Sequence, residues 1–401
     1  MNRELEISIL KRIIENVNSR KVSDTGNQSE YSKISVEAYT SREKFIKEKN
    51  TLFKEFPLMV GFSSEIANHG DYIAHDLTTT PIIVIRNKDM SLKAYINACR
   101  HRGARMLDEV QGNCKGNLKC PFHGWSYSPK NGDLRGLPNP EGFPCINKKD
   151  FGLISLPVEE CFGMIYVIPT PGKELDLKSH LGEIYDNLMS YGYDENKVLY
   201  KSKIHHRDMN WKFSIEANSE NYHFPYLHKE SSADNFLSFG SVFDYLKPHA
   251  RLIAPQEKIL KEYDKDEKDW ELQNNVTIIY FIFPNTFYLT GTGFGHVLSV
   301  YPKDEKHCTF ISGTLVDDLP HTEKNKMFWE QQYNYYWGAL YEDMEIGESI
   351  QTTIESEANT HFVYGTYEDL LYKFHKTVEE VINGEYSLED VKNNIHESLT
   401  V

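Results

Sequence analysis

Two short strings constrain this 401-residue chain more than anything else in it: CRHRG, with Cys99 two residues before His101, and CPFHGW, with Cys120 three before His123. Eighteen residues separate the two pairs. Each pair offers one thiolate and one imidazole at the tip of a short turn, with Gly103 and Gly124 close behind. Zinc fingers instead put two Cys in one loop and two His on one helix. One of each per loop suits a two-iron two-sulfur cluster in which one iron takes both sulfurs and the other both nitrogens. Imidazole ligation raises the potential of such a cluster above that of an all-Cys one, and its chemistry is one-electron transfer. A single Cys or His is more often an ordinary core side chain. Four in this arrangement point to a metal centre, with structural zinc the rival that ligand softness does not exclude.

The rest of the composition narrows the function classes. The 40% hydrophobic content is that of a globular protein, and a formal charge of -15 argues against a nucleic-acid partner. No run of about 18 uncharged apolar residues exists, so no membrane span is expected. The opening MNRELEISILKRIIENVNS sets acids inside an amphipathic helical pattern and lacks the uncharged core of a secretory signal, which predicts a cytoplasmic location. Six cysteines, two of them assigned to iron, give no disulfide framework. No G-x-G-x-x-G opens a strand-helix unit, so nicotinamide-derived electrons would have to come from a partner.

Residues 1 to about 50 read as an amphipathic helix, a polar stretch near Ser23 to Ser32 and a short helix at Ser41 to Lys49. From Pro57 the pattern becomes short alternating strands, at Tyr72 to Asp76, Pro81 to Arg86, Leu92 to Asn97 and Met164 to Ile168, separated by turn residues. A small antiparallel domain should end near Pro169 to Gly172. Beyond it come a helical piece at Lys178 to Tyr191, a strand near Val198 to His206, a helix Trp211 to Tyr222, long strands over 275 to 316, and closing helices at about 322 to 357 and 377 to 394. That order predicts an α+β fold.

A cluster that moves single electrons must deliver them, and NWKFSIEANSENYHFPYLH supplies a destination. His223 and His228, five apart, would diverge by about 140° on an unbroken helix. Pro225 between them ends or kinks a helix, so His223 can sit on a last turn while His228 folds back. Two imidazoles and one carboxylate with open positions make the facial triad of non-haem ferrous oxygenases. For the carboxylate, Asp343 shares a helix face with Leu340, Met344, Gly347 and Gln351, while Glu342 lies about 100° away. A solvated helix acid is the plain alternative for Asp343. Glu220 stands three residues before His223, a spacing that brings helical side chains together.

CRHRG, CPFHGWSY and the following Gly132-Asp133-Leu134 resemble the Rieske domain of the non-haem iron ring-hydroxylating oxygenases, in their alpha (terminal oxygenase) subunit, over most of the chain. The gap between the ligand loops is a residue or two longer than usual in that family. The extra length falls in a surface turn at Gln111 to Asn117, where Cys114 is a bystander. The resemblance implies a Rieske 2Fe-2S β domain at 53–170 and a helix-grip (START-like) antiparallel-sheet domain with mononuclear Fe(II) at 171–401. The segment 1–52 would pack with the latter. YEDMEIGESIQ is similar to the family's terminal helix, which makes Asp343 the third ligand beside His223 and His228. Glu220 takes the place of a bridging acid between the two centres, most often Asp in the family and Glu in branches similar to carnitine monooxygenase. A further departure is Ala217-Asn218 where the family commonly has Asn directly after Glu216.

The activity implied is hydroxylation or oxidative demethylation of a small organic substrate, aromatic or quaternary ammonium, with O2 and electrons from NAD(P)H through a separate reductase or ferredoxin. A head-to-tail homotrimer is implied as well. Tyr226, Phe281, Phe283, Phe287 and Tyr288 could line the substrate pocket, although such residues are more often core. A Rieske electron carrier without oxygenase activity is the alternative, and a zinc-stabilised binding protein a third reading.

Overall fold

The computed structural model describes residues 1–24, 31–193, 197–231 and 235–398, so residues 25–30 of the polar stretch expected at Ser23 to Ser32 lie outside the described residues. The chain divides into two compact units, Lys49–Leu177 and Met1–Glu48 with Lys178–Val401.

The smaller unit is built from three antiparallel sheets. A five-stranded sheet runs Ser155–Leu156, Leu92–Ile96, Ile82–Arg86, Asp71–His75, Gln111–Asn113; a three-stranded sheet joins Val158–Cys161, Met164–Val167 and Leu58–Phe62; and another joins Leu118–Lys119, Ser126–Tyr127 and Leu134–Gly136. Gln111–Asn113 therefore forms an edge strand and not the turn expected there. It fits because Gly112 leaves room for the Tyr72 ring, whose hydroxyl would stand 2.5 Å from a Cβ at that position. The core gathers Tyr72, Ile83, Tyr95, Leu118, Trp125 and Tyr127 around Cys99 and Cys120. Both thiols thus belong to the buried core of the unit.

The larger unit is organised on a seven-stranded antiparallel sheet in the order Val198–Arg207, Cys308–Val316, Phe294–Pro302, Thr286–Gly291, Val276–Ile282, His249–Pro255, Val242–Leu246. The last two strands are absent from the sequence reading. Their pattern is masked by charge: Asp244 and Arg251 are cross-strand partners that join at 2.6 Å, so residues that look like surface are half of a buried ion pair. The expected helix at Lys178 to Tyr191 is broken at Gly182, whose φ of 53° no helix continues through. The closing helix begins earlier than expected, as Asp369–Ile382, and ends at Asn383-Gly384, with Gly384 at a φ of 76°, before Leu388–Ser398.

The long helix Glu323–Thr353 buries Leu340, Met344, Gly347 and Gln351, the stripe that the spacing predicts, and extends it towards the N-terminus with Tyr333 and Trp337. Its other partner is the edge strand Val198–Arg207. Lys201 lies 4.4 Å from the centre of the Tyr333 ring, Lys203 5.5 Å from Trp337 and Arg207 4.1 Å from Tyr341, with the His205 ring 4.3 Å from Trp337. Alternate residues of the strand thus meet successive turns of the helix in a ladder of cation-π contacts.

Candidate metal centres

In the small unit the two ligand loops are built alike. Gly103 donates to the Cys99 carbonyl at 2.9 Å and Cys99 to the Ala104 carbonyl at 2.8 Å; Gly124 donates to Cys120 at 3.0 Å and Cys120 to Trp125 at 2.8 Å. Both glycines sit at positive φ, 78° and 72°, which closes each turn where a side chain would be strained. His101 stacks on Trp125 at 4.8 Å and meets His123 edge-on at 4.7 Å. Its Nδ1 is buried without a hydrogen-bond partner, which suits an atom that ligates a metal. Tyr127 Oη lies 3.3 Å from Cys99 Sγ and accepts from the Arg100 amide.

The second group is tighter. The Nε2 atoms of His223 and His228 are 3.1 Å apart, and Asp343 Oδ1 lies 3.4 Å from the first and 3.1 Å from the second. Ligands at about 2.1 Å on perpendicular axes stand roughly 3 Å from each other, so the triangle matches one face of an octahedral ion. Asp343 Oδ1 is buried with no hydrogen-bond partner. Each ring is oriented from behind: His223 Nδ1 pairs with Glu220 Oε1, and His228 Nδ1 with Glu342 Oε2 at 2.7 Å, which also accepts from Ser231 Oγ. Carboxylates at Nδ1 fix the tautomer that leaves Nε2 for a metal.

The electrostatics point the same way. Burial would push the His223 imidazolium down, but Asp343 and Glu220 override it and lift its pKa to about 10. His228 is raised against burial by Asp343 and Glu342, and burial of Asp343 is outweighed by the two imidazoles, which hold it below its usual range. The pocket is a negative field that asks for a cation.

Local structure differs from the helix expected here. Asn210 caps Trp211–Ala217 by accepting from the Lys212 amide and anchors it through Nδ2 to the Tyr39 and Glu305 carbonyls, while its own amide donates to Gln351 of the long helix. The helix stops at Ala217, not Tyr222. Glu220 and His223 therefore meet in a turn, where Glu220 Oε2 also accepts from the Tyr222 and His223 amides. His223 is the N-terminal and His228 the C-terminal boundary of the one-turn helix Phe224–Leu227. Pro225 begins that turn instead of ending one, because a first-turn residue has no amide bond to lose.

Two family models match this chain: the ring hydroxylating alpha subunit (catalytic domain) over residues 193–384 and the Rieske [2Fe-2S] domain over 56–147. The chain belongs to the Rieske non-haem iron ring-hydroxylating oxygenases. Among its curated relatives, benzene 1,2-dioxygenase subunit alpha of Pseudomonas putida is 31% identical over 190 residues, 46% of this chain and 42% of that one. The carnitine monooxygenase oxygenase subunit of Acinetobacter baumannii is 33% identical over 129 residues, 32% of this chain and 34% of the relative. The chain covers less than half the length of these relatives. In fold it is similar to the quaternary ammonium Rieske monooxygenase CntA (TM-score 0.75, 20% identity, 88% of this chain and 95% of that one). It is likewise similar to naphthalene 1,2-dioxygenase from Rhodococcus sp. (TM-score 0.72, 19% identity, 96% and 99%). The match to the oxygenase catalytic domain sets aside the reading of this family member as an electron carrier alone.

Two cavities meet at the His223–His228–Asp343 group. One, of about 590 Å³, is lined by Phe224, His228, Ile279, Leu289, Leu340 and Asp343 among others. The second, of about 510 Å³, shares Glu220 and Asp343 and adds Glu216, Tyr364 and Glu368. None of the five aromatic residues expected at the substrate pocket lines either one. Tyr226 is 76% exposed, and Phe281, Phe283, Phe287 and Tyr288 are core, as such residues more often are.

Sequence reasoning missed Glu342 and Glu216. Glu342 is off the buried stripe, and it reaches His228 for that reason, from the flank. Glu216 Oε1 accepts from Tyr39 Oη at 2.5 Å and from His375 Nε2 at 2.8 Å, with Tyr364 Oη 2.7 Å from Tyr39. Those partners lie far away in sequence and carry no local signal.

Proposed function

We propose that this chain is the terminal oxygenase component of a Rieske oxygenase system, oxidising a small organic substrate by hydroxylation or oxidative demethylation with dioxygen. NAD(P)H-derived electrons would arrive from a separate reductase or ferredoxin. The observation that carries this reading is the buried Asp343 Oδ1, 3.4 and 3.1 Å from two imidazole Nε2 atoms, at the wall of a cavity large enough for an organic molecule. Cys99, His101, Cys120 and His123 would hold the 2Fe-2S cluster, and His223, His228 and Asp343 the ferrous ion.

Ferrous iron bound there would supply the binding and reductive activation of dioxygen. The chain's own part is positional. Glu220 and Glu342 keep both Nδ1 protons in place and both Nε2 lone pairs directed at the metal position. Phe224 and Leu340 beside the metal position, with Ile279 and Leu289 on the sheet, give the cavity an apolar lining that would exclude water from around a bound substrate. Glu220, which borders the second cavity too, is suited to link an electron donor on that side to His223.

A homotrimer working head to tail belongs to the same proposal. Around the second cavity, acidic Glu216, Glu220 and Glu368 are accompanied by exposed Tyr222, Ile346, Val363 and Tyr367. The cluster loops present the complementary chemistry, exposed Arg100, Arg102, Phe122 and His123, with Arg102 5.4 Å from the Phe122 ring centre. A solved structure of a quaternary ammonium Rieske monooxygenase, similar in fold, gives insights into inter-subunit electron transfer in that protein. A cytoplasmic location is part of the same proposal; among the described residues no helix is long and apolar enough to cross a membrane.

The test is anaerobic reduction of the purified protein, then oxygen uptake with candidate substrates, beside the Asp343→Ala variant. Three irons per chain and uptake abolished in the variant are expected, with the cluster's spin-resonance signal retained. Undiminished uptake in Asp343→Ala would refute the ligand set.

A further inference from the structure

The cavity of about 590 Å³ runs beside the long helix, which contributes Phe328, Gln331, Gln332, Tyr336, Leu340 and Asp343 to one wall. At 1.5 Å per residue the fifteen steps from Phe328 to Asp343 span about 22 Å. An apolar cavity of about 150 Å³ already accommodates benzene. This one is built for something longer than a single ring.

Its chemistry changes along that length. Next to the imidazoles the wall carries Phe224, its ring centre 5.3 Å from that of His228, and Leu340, one turn before Asp343, and the sheet continues the apolar lining with Ile279 and Leu289, the latter opposite His296. About 10 Å further along the helix, Tyr336 lies face to face with His296, ring centres 4.0 Å apart and planes within 3°. Burial keeps His296 neutral, with a pKa lowered to about 3, and its Nδ1 engages Thr314 Oγ1 at 2.8 Å. The Tyr336 hydroxyl is buried without a partner. Beyond them, about 17 Å from Asp343 along the helix, come the carboxamides of Gln331 and Gln332. Gln273 and Asn274 join them from a turn and Gln256 from just past a strand: Asn274 Oδ1 accepts from Thr292 Oγ1 at 3.0 Å in the turn that leads to Phe294, whose ring lies 5.4 Å from Trp329, and the Gln256 amide, two residues before Lys258, donates to the Asn275 carbonyl at 3.0 Å. The exposed Lys258 is the single Lys or Arg among the described lining residues, and apart from Glu220 and Asp343 no carboxylate lines the space.

We infer, on the oxygenase reading above, that the substrate is an elongated arene of more than one ring's length, bearing an anionic oxyacid group at the end away from Asp343, and that Lys258 selects for that charge. The apolar end accepts the carbon to be oxidised and offers no hydrogen bond to it. The unpartnered Tyr336 hydroxyl and the ring of carboxamides supply donors along the way to the charged group. A quaternary ammonium lacks a counter-charge here. Its natural partners, Glu220 and Asp343, are already committed to the imidazoles, and Lys258 repels it.

Titration calorimetry on the anaerobic holoprotein, with biphenyl-4-carboxylate, biphenyl-4-sulfonate, benzoate and 4-(trimethylammonio)biphenyl as probes, tests this without turnover. Both biphenyl anions should bind at least tenfold more tightly than the ammonium probe and more tightly than benzoate, and the tighter of the two tells whether carboxylate or sulfonate is the group recognised. Lys258→Glu, a change at an exposed side chain, should weaken the anions by about threefold to tenfold and favour the ammonium probe. Failure of both anions to bind, tighter binding of the ammonium probe, or affinities unchanged by Lys258→Glu would overturn the inference. Oxygen uptake separates this from the functional reading: tight anion binding with no uptake by the reduced protein refutes the oxygenase activity alone, and uptake driven by a quaternary ammonium refutes the inference alone.

Discussion

Removing Glu48 should cost this protein more stability than almost any other single side chain. Glu48 and Lys212 are 2% and 1% exposed and meet at 2.7 and 2.9 Å, and the Glu48 carboxylate also accepts from Trp211 Nε1 at 3.0 Å. In Glu48→Ala the ammonium is left buried without a counter-charge, a loss of about 3–5 kcal/mol. The indole N–H is orphaned as well, about 1 kcal/mol or more, so roughly 4–6 kcal/mol is expected. At about 2–4 °C per kcal/mol for a unit of this size, the melting temperature should fall by some ten degrees or more. Lys212→Met should cost about 3–5 kcal/mol by stranding the carboxylate. The double variant Glu48→Leu with Lys212→Met removes both charges and leaves only the indole unpaired, so it should recover to within about 1–3 kcal/mol of the parent. Calorimetry and urea midpoints for the four proteins close a double-mutant cycle. A coupling below about 1 kcal/mol would mean that the pair is worth no more than one on the surface, and the reasoning from burial would be wrong.

Further outcomes follow from other sites. Glu220→Gln should leave both metal centres occupied, by iron analysis and spin resonance, while slowing turnover; a variant of parental speed would remove Glu220 from the path. His249 is buried and neutral, its pKa lowered by burial from 6.5 to about 4. The unfolded chain therefore binds more protons than the folded one between these values, and stability should fall as the pH drops from 6.5 towards 4, by at most about 3 kcal/mol for this group. Urea midpoints across that range check it, and His249→Asn should flatten the slope. Gly295→Ala would place a Cβ 2.4 Å from the hydroxyl of the fully buried Tyr288, so a loss of about 1–3 kcal/mol is expected by thermal unfolding.

Legibility in the sequence followed the range of each interaction. The cluster loops could be read because each is closed by bonds between Cys99 and Gly103–Ala104, or Cys120 and Gly124–Trp125, within one short string. His223 and His228 could be read as a pair for the same reason, although the wrong local picture, a helix ending at Pro225, happened to bring them together. Asp343 needed the buried stripe of a helix more than a hundred residues away, and the stripe alone left it open. Glu342 defeated the stripe argument, since a side chain on the flank of a helix can still reach an imidazole held by another element. The strands Val242–Leu246 and His249–Pro255 hid behind Asp244 and Arg251, whose burial makes sense only once each has found the other. The pocket was misread because aromatic residues on a strand say nothing of which face they occupy; Ile279 and Leu289, paired across neighbouring strands, reach the cavity while Tyr280 and Tyr288 turn away from it.

The stacked contacts between the edge strand and the long helix bear on which acid meets the imidazoles. Adjacent helical residues differ by about 100° in direction, so a roll of Glu323–Thr353 by even a fraction of that angle would swing Asp343 off the two nitrogens. Tyr333, Trp337 and Tyr341, clasped by Lys201, Lys203 and Arg207, act as the teeth of a key that admits only one angular setting. The setting of the third donor is thereby held by contacts that involve no donor, and an engineer wishing to retune the centre could begin with those rings without touching any donor.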